Sequence, residues 1–468
     1  MLYTYSPRSE VLWMDERENR LGTMPIRSLI LTMSWPMMLS MLIQALYNMV
    51  DSYYVSLCDP KGFLALSLAF PAQTLMISVC VGTGVGVNAM LSRRLGEGKK
   101  DAAAAVAANG FFVYFLTGLV FLAAGVLLGP RFVGFFSSDA QVVAYGGQYL
   151  TVVLCGSMGM CMQFAGERVL QASGRPVGPM VIQGIGAVIN LILDPILIFG
   201  LGPAPALGVT GAAIATVFGQ LVGMCVGFLL VHRCPVVQIS FRSFRPDTGA
   251  IRDIYRIGFP AMAMQSLGTF MTLGLNKILS LPPVTAAAGD APVFVLGAYF
   301  KLQSFVFMPV AGLNNGMTPV LGYNYGARHR TRIVDGVHFA LKVSLGIMAA
   351  GTLLFQLFPA QLLAIFSTPA EMIPTGIFAL RVISATFLCA GASFILSGAF
   401  QSLGAPNLAL LLGLTRQIVI VLPVCLILAL VDPSLVWLSF PAAEIFSCAL
   451  AALLYRKVRR ERVNPLEP

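Results

Sequence analysis

The segment PAQTLMISVCVGTGVGVNAMLSRRLGEGKK, residues 71–100, determines how the whole chain is interpreted, because a second version of it occurs later. The second version is KLQSFVFMPVAGLNNGMTPVLGYNYGARHR, residues 301–330, aligned without a gap. The shared positions are Gln73 and Gln303, Gly82 and Gly312, Gly86 and Gly316, Leu91 and Leu321, and Gly96 and Gly326. The chain therefore contains two related halves.

Two further matches support the repeat. LQASGRP at 170–176 pairs with FQSLGAP at 400–406 in the same register. SWPMM at 34–38 pairs with GFPAM at 258–262 in a slightly shorter register. The difference indicates a longer loop early in the second half, where LPPVTAAAGDA follows the first helix. Each half thus repeats the same order of segments.

The composition is that of a membrane protein. Hydrophobic residues make up 57% of the 468 residues and charged residues only 11%, unlike water-soluble domains. A membrane-spanning helix needs about 20 mostly apolar residues. The sequence predicts an all-α membrane protein with twelve such helices, near residues 28–56, 63–91, 103–128, 141–170, 177–200, 207–231, 250–280, 292–320, 331–357, 372–402, 407–430 and 434–456.

Basic residues are concentrated in alternate connections between these helices, whereas the opposite connections contain only Lys61 and Arg131. Because basic connections stay in the cytoplasm, both termini are predicted to be cytoplasmic. Residues 1–27 carry eight charged side chains and no apolar core, so we expect no cleavable signal peptide. The net charge of +10 reflects this topology, and no nucleic-acid partner is expected.

The repeat predicts two six-helix bundles that begin and end on the same side, related by a pseudo-twofold axis along the membrane normal. Gly82, Gly86, Gly312 and Gly316 have the spacing of close helix packing. GTGVG lacks the Lys-Ser/Thr of a phosphate-binding loop. The predicted segments are a cytoplasmic N-terminal segment at 1–27, an N-terminal bundle at 28–231, a cytoplasmic linker at 232–249, a C-terminal bundle at 250–457 and a cytoplasmic tail at 458–468.

The order and spacing of several motifs resemble the multidrug and toxic compound extrusion (MATE) family over nearly the whole chain. The motifs are LYNMVDSYYVS, LSRRLGEG, ERVLQASGRP, NLILDPILIFG, LGVTGAAIAT and YNYGAR. The resemblance implies a secondary active transporter that exports drug-like organic cations. It also implies a multi-pass protein of the bacterial inner membrane.

Asp194 lies within the apolar run INLILDPILIF, where a charged carboxylate costs about 2.5 kcal/mol or more. Asn190 is four residues earlier on the same helical face, and Gln183 continues that stripe. In the first helix, Gln44, Asn48 and Asp51 form a second polar face. We expect the two faces to meet.

The repeat provides an internal comparison for these acids. Asp51 falls opposite Leu275, and Asp194 falls opposite Val424, so the scaffold does not require either acid. Two alternatives remain: a buried acid with a structural role, and a site for a proton or a cation.

Two neighbouring carboxylates in a low dielectric titrate as a unit and can bind H⁺, or Na⁺ with the help of neutral oxygens. Asn48, Asn190 and Thr216 could supply those oxygens. Pro195 cannot donate to the carbonyl of Leu191, which leaves another acceptor.

The resemblance agrees with a site of this kind. One branch of the family uses an Asp in the first helix and an Asn and an Asp in the fifth, which match Asp51, Asn190 and Asp194. Another branch uses a Glu in the seventh helix, GFPAMAMQSLGTFMTLGLNKIL, which contains no acid here.

The second half has its own charges within the predicted helices: Lys277, Lys301, Arg381, Arg416 and Glu444. Arg381 and Glu444 lie at similar depth, so we predict an ion pair between them. Lys301 and Arg416 either line the central cavity, or Lys277 and Lys301 extend toward the outer surface. The candidate cavity residues are Gln44, Gln183, Gln265, Lys301 and Arg416.

These observations favour a secondary active exporter that exchanges amphipathic or cationic small molecules for H⁺ or Na⁺ by alternating access. Membrane lipids are its other partners, no cofactor is expected, and the chain is expected to act as a monomer. A lipid-linked oligosaccharide flippase of related architecture is the alternative, and Lys301 with Arg416 would suit its pyrophosphate. A membrane-embedded enzyme is a weaker alternative, because the sequence shows no metal-ligand spacing and no nucleophile beside a base.

Overall fold

The computed structural model describes residues 20–467, except 59, 136–138, 202–204, 240–243, 290 and 367. At 47–49, 51–53, 55–58, 60–64, 67, 130, 287 and 288 it describes the backbone alone. Within these limits the chain is almost entirely helical and contains no β-strand.

The first half consists of eight helices. α5 and α6 meet at an angle of 44° and together cross the membrane once. The helices are α1 (Arg20–Thr23), α2 (Ile26–Cys58), α3 (Pro60–Gly96), α4 (Lys100–Gly134), α5 (Ala140–Cys155), α6 (Ser157–Ala172), α7 (Val177–Phe199) and α8 (Val209–His232).

The second half consists of ten α-helices and several short turns. A π-helical segment, Thr415–Ile420, joins α16 to α17, and α14 meets α15 at an angle of 47°. The helices are α9 (Thr248–Leu279), α10 (Pro282–Ala288), α11 (Ala291–Gly326), α12 (Arg330–Leu357), α13 (Pro359–Ala364), α14 (Ile373–Ser384), α15 (Phe387–Ser402), α16 (Pro406–Leu414), α17 (Val421–Val431) and α18 (Ser439–Val458).

The predicted twelve spans are confirmed. In the described part of the chain, nine continuous spans are long and apolar enough to cross a membrane, and the two bent pairs bring the number to eleven. The twelfth is α9, whose 32 residues would reach about 48 Å at 1.5 Å per residue. α9 is more polar than the others because it begins in the basic linker. The twelve spans form two six-helix bundles.

Glycines of the repeat lie where the two halves touch. Gly82 of α3 packs against the backbone of Met262 in α9, and Gly312 of α11 packs against the backbone of Met38 in α2. A Cβ atom at either glycine would overlap the opposite helix, so only glycine permits this approach. The predicted packing role of the glycines is therefore confirmed. A second pair of contacts is related in the same way. Gly86 of α3 packs against Ile254 in α9, and Gly316 of α11 packs against Ser34 in α2.

The contacts continue to the ends of α3 and α11. Gly96 packs on the carbonyl of Tyr323, and Gly326 packs on the carbonyl of Arg93. These contacts run from the middle of the four helices to the ends of α3 and α11, on the side where α2 and α9 begin in both halves. The halves are therefore closely joined on that side.

The repeat also fixes a pair of turns. Gly174 has a φ of +77° and Gly404 has a φ of +73°, at matching positions after α6 and α15. Left-handed backbone favours glycine, which explains why LQASGRP and FQSLGAP both keep one there.

Candidate functional site

A cavity of about 120 Å³ lies within the first half. Helices α2, α3 and α5 to α8 line it, and its wall is rich in amide side chains. Tyr149, Met160 and Phe164 add an apolar surface. The polar residues that line it are Gln44, Gln73, Gln163, Gln183, Asn190, Thr216 and Gln220. Amides and aromatic rings together suit an amphipathic ligand.

Asn190 lines this cavity, and Asp194 lies one turn further along α7; 3% and 1% of their surfaces are exposed. The Asn190 side-chain Nδ2 donates to Asp194 Oδ1 at 3.2 Å and to Thr216 Oγ1 at 3.3 Å. Asn190 Oδ1 is buried and has no hydrogen-bond partner among the described residues. The arrangement therefore gathers carboxylate, amide and hydroxyl oxygens from α7 and α8.

Close packing of α7 on α8 makes this arrangement possible. Gly186 and Gly219 face each other, and a Cβ atom on Gly219 would overlap the Gly186 carbonyl. The two backbones therefore approach closely enough for Thr216 to reach Asn190. From the sequence, Thr216 is only a candidate neutral ligand, and the structure brings it to the pair.

The side chains of Asp51 and Asn48 lie outside the described residues, so the structure places only their backbone, in α2. Three residues beyond Asp51, the ring of Tyr54 contacts the ring of Phe199 edge to face at 6.1 Å. Phe199 ends α7, the helix of Asp194. The later turns of α2 and α7 are thus neighbours.

Glu167 of α6 is a buried acid that is absent from the candidates predicted by sequence. Only 2% of its surface is exposed, and its two oxygens accept from Gln163 Nε2 and Gln183 Nε2, both at 3.0 Å. Gln183 Oε1 in turn accepts from the hydroxyl of Ser40 in α2. An acid inside a predicted span is the available signal, but the glycine and proline of ERVLQASGRP favour a connection between helices.

The same helix links this network to the second half. Arg168 Nη1 donates to Gln171 Oε1 at 2.7 Å, and Gln171 Nε2 donates to the carbonyl of Asn315 in α11 at 2.5 Å. Asn315 lies between the two interface glycines of α11. The polar side chains of α6 therefore reach both the cavity wall and the contact between the halves.

The predicted ion pair of Arg381 with Glu444 is wrong. Glu444 Oε1 instead lies 3.6 Å from Arg416 Nη1, and Arg381 is exposed. The prediction rests on depth along ideal helices. The π-helical segment changes which side chains of the eleventh span face α18. The depth of a residue along an ideal helix does not predict that change.

The five candidate cavity residues do not converge on one place. Gln44 and Gln183 line the cavity of the first half, whereas Gln265 and Arg416 line a second cavity of about 180 Å³ in the other half. Lys301 is exposed, with its Nζ 5.8 Å from the centre of the Phe366 ring. Lys301 lines neither cavity, so the paired cationic surface considered for a pyrophosphate is not formed.

Comparisons with known proteins agree on one family. The family model described as MatE matches residues 36–196 and 260–427, one segment in each half. The multidrug export protein MepA of Staphylococcus aureus (strain NCTC 8325) is 26% identical over 458 residues, which cover 96% of this chain and 98% of MepA. A protein named FAD transporter from Shewanella oneidensis is 25% identical over 423 residues, which cover 90% of this chain and 91% of that protein.

A solved structure shows the outward-facing conformation of a multidrug resistance MATE family transporter of the MOP superfamily. It matches this chain with a TM-score of 0.88 at 25% identity, and the match covers 95% of this chain and 98% of the other. The agreement extends over both six-helix bundles.

Proposed function

Because the chain belongs to the MatE family, we propose that it is a secondary active exporter of amphipathic or cationic small molecules, driven by exchange for H⁺ or Na⁺. Members of this family are transporters and not enzymes, and the chain is a multi-pass membrane protein. The observation that carries the proposal is the buried group of Asp194, Asn190 and Thr216 beside an amphipathic cavity.

The coupling site that we propose consists of Asp194, Asn190 and Thr216, completed by Asp51 and Asn48 from α2. Carboxylate, amide and hydroxyl oxygens are ligands for Na⁺, and a carboxylate pair in a low dielectric also holds a proton. The contact between Tyr54 and Phe199 supports the pairing of Asp51 with Asp194, because it joins the same turns of α2 and α7. Pro195 leaves the Leu191 carbonyl as a further acceptor.

The substrate site that we propose is the cavity of the first half. Its amides can accept or donate hydrogen bonds, while Phe164 and Tyr149 offer ring faces on which an organic cation can lie. Glu167 contributes a buried acid behind Gln163 and Gln183, which favours positive ligands over negative ones. The coupling ion and the substrate would then compete for the same polar side chains of the first-half cavity.

The available driving force is sufficient for export. One positive charge that enters at a potential of about 100 mV supplies about 2.3 kcal/mol, and a tenfold gradient adds about 1.4 kcal/mol. Together they support a concentration ratio of a few hundredfold for a neutral substrate, whereas one-for-one exchange for a monovalent cation is electroneutral and uses the gradient alone.

The transport mechanism that we propose is alternating access, and the contact between the halves supports it. The paired glycines join α2 to α11 and α3 to α9 on one side, which we infer to be cytoplasmic together with both termini. Transport requires these contacts to open while the other side closes. We place the protein in a bacterial inner membrane as a monomer, with bundles at 28–231 and 250–457.

The experiment that tests this proposal is uptake of a fluorescent organic cation, ethidium, by proteoliposomes, with pH and sodium gradients imposed separately. One of the two gradients should accelerate ethidium movement at least tenfold over protein-free vesicles. Movement that is indifferent to both gradients would contradict ion-coupled exchange.

A further inference from the structure

The second cavity is the repeat-related counterpart of the first. Phe394 corresponds to Phe164 in the register that pairs Gln73 with Gln303, and both rings line their cavities. Four further lining positions correspond in the same way but carry different side chains. Ser393 replaces Gln163, Gly413 replaces Gln183, Arg416 replaces Gly186 and Gln417 replaces Ala187. The scaffold thus forms two related pockets with different chemistry.

Hydrogen-bond donors dominate the polar wall of the second cavity. Arg416 contributes a guanidinium group, and Gln265 and Gln417 contribute amides. Ser393 and Ser447 also line it, with 2% and 0% of their surfaces exposed. Neither serine hydroxyl has a hydrogen-bond partner among the described residues. Buried hydroxyls without partners are costly, so a ligand group that satisfies them would be favoured.

Arg416 is positioned by irregular backbone. Arg416 and Gln417 both lie in the π-helical segment that interrupts the eleventh span. Single π-helical turns inside α-helices occur frequently at functional sites, because the extra residue redirects side chains. An arginine at bilayer depth also marks a functional site by default.

The ion pair with Glu444 leaves several hydrogen-bond donors of Arg416 available. Glu444 Oε1 lies 3.6 Å from Arg416 Nη1, and Glu444 Oε2 has no hydrogen-bond partner among the described residues. A guanidinium group has five N–H donors arranged for bidentate binding of a carboxylate. The ion pair therefore holds Arg416 beside the cavity without occupying all of its donors.

We propose that this cavity of the second half binds the carboxylate group of a small amphipathic molecule. Arg416 binds the carboxylate oxygens, the hydroxyls of Ser393 and Ser447 donate to them, and Phe394 and Met264 pack against the apolar part. The ligand's carboxylate binds Arg416 beside Glu444, and the two carboxyl groups share one proton, as expected for a pair in a low dielectric. This site is separate from Asp194 and does not depend on ion coupling. The two halves would then select groups of opposite charge.

Binding in lipid nanodiscs tests the proposal with two matched probes. Dansylglycine carries a free carboxylate, and dansylglycinamide is its neutral counterpart with the same fluorophore. Fluorescence titration of the wild-type protein should give a Kd for dansylglycine at least tenfold lower than for the amide. Equal Kd values for the two probes would overturn the proposal.

Variants of the cavity locate the binding site. Arg416→Gln should abolish the preference for dansylglycine, whereas Arg381→Gln removes the same charge from an exposed position and should leave it unchanged. Ser447→Ala should weaken dansylglycine binding by about ten- to a hundredfold, the effect of one hydrogen bond to a charged group. A preference that persists in Arg416→Gln contradicts the assignment. If that variant does not fold, the double variant Ser393→Ala with Ser447→Ala replaces it. Loss of the preference for dansylglycine in the double variant supports the assignment, and an unchanged preference contradicts it.

A coupling-site variant separates this inference from the transport proposal. Asp194→Asn should bind dansylglycine as the wild type does, because Asp194 lies in the other half. A changed preference in Asp194→Asn, such as a gain in dansylglycine affinity on removal of a negative charge, would show that the probe occupies the first cavity, and would overturn the second site.

Discussion

At the scale of single residues, Asp194 shows how an acid can be kept inside an apolar bundle. Asn190 donates to it and also to Thr216, and all three lie beside a polar cavity. The cost of burial is thereby reduced but not removed. The repeat places Val424 at the matching position of the second half, which indicates that folding does not require the acid.

Asp194→Asn should reduce gradient-driven ethidium transport at least tenfold while the protein still inserts into the membrane. Asparagine keeps the shape but cannot exchange a proton or neutralise a cation. Asp335→Asn is the matched control, because it changes the same residue type at an exposed position of α12. Transport by Asp194→Asn at the wild-type rate would remove Asp194 from the coupling site.

Asp51→Asn should have an effect similar to that of Asp194→Asn, and the double variant should be no worse than either single variant. Residues that serve one site are not additive, whereas independent residues multiply their losses. Initial rates of the four proteins in one vesicle preparation give the comparison. Multiplying losses would show that the two carboxylates act separately.

At the scale of helices, glycine spacing and hydropathy are sufficient to predict most of the architecture. The spacing of Gly82 and Gly312 predicts close packing, and both lie at equivalent contacts between the halves. Apolar length predicts twelve spans, but it cannot reveal the bends between α5 and α6 or between α14 and α15. The bends lie at Gly156 and at Ala385–Thr386, inside sequence that remains apolar enough to be counted as one span.

The site is less predictable than the helices. Periodicity correctly places Gln183 and Asn190 on one face of α7, and both line the cavity. It assigns no ion-pair partner to Arg416, because the neighbours of Arg416 depend on the π-helical segment. It also passes over Glu167, because the motif around that acid is typical of a turn. Contacts between helices that are distant in the sequence determine the partner of Arg416 and the surroundings of Glu167. The spacing of residues within one helix does not predict such contacts.

Gly312→Val should destabilise the protein by about 1–3 kcal/mol, the usual cost of overpacking. Its side chain would overlap the backbone of Met38 in the other half. Gly297→Val lies in the same helix with nothing near its Cβ, so it controls for helix propensity. Thermal unfolding in nanodiscs should show a lower Tm for Gly312→Val alone. Equal melting of the two variants would argue against a tight contact.

The turn between α3 and α4 has a pH-dependent element outside the membrane spans. Partial burial opposes ionisation of Glu97, but hydrogen bonds from Arg94 and Lys99 hold the pKa of that carboxyl below its ordinary value. Its contribution to stability is therefore present above the unfolded-state pKa and is lost as pH falls through the folded-state pKa.

Glu97→Gln should consequently lower the stability by up to about 1 kcal/mol at neutral pH, since partly exposed pairs contribute little. The difference from wild type should vanish once the pH lies below the folded-state pKa. Unfolding measured across this pH range tests the sign, and a difference that grows on acidification would contradict it.

At the scale of the whole molecule, transport by movement of two rigid halves requires the contact between them to open. Ser92 of α3 and Gly322 of α11 face each other across it, and a Cβ atom on Gly322 would lie 3.4 Å from Ser92 Cβ. That separation is close to the distance of about 3.5–4.5 Å between the Cβ atoms of a disulfide. The variant Ser92→Cys with Gly322→Cys should therefore form a disulfide between the halves.

Oxidation of this double variant should stop ethidium transport, because the contact can no longer open, and a reductant should restore it. Single-cysteine variants control for the added thiols and for the native cysteines. Binding of ethidium to the oxidised protein should persist if the cavity remains open on the other side. Unimpaired transport by the oxidised double variant would show that the substrate does not pass through a conformation in which this contact is broken.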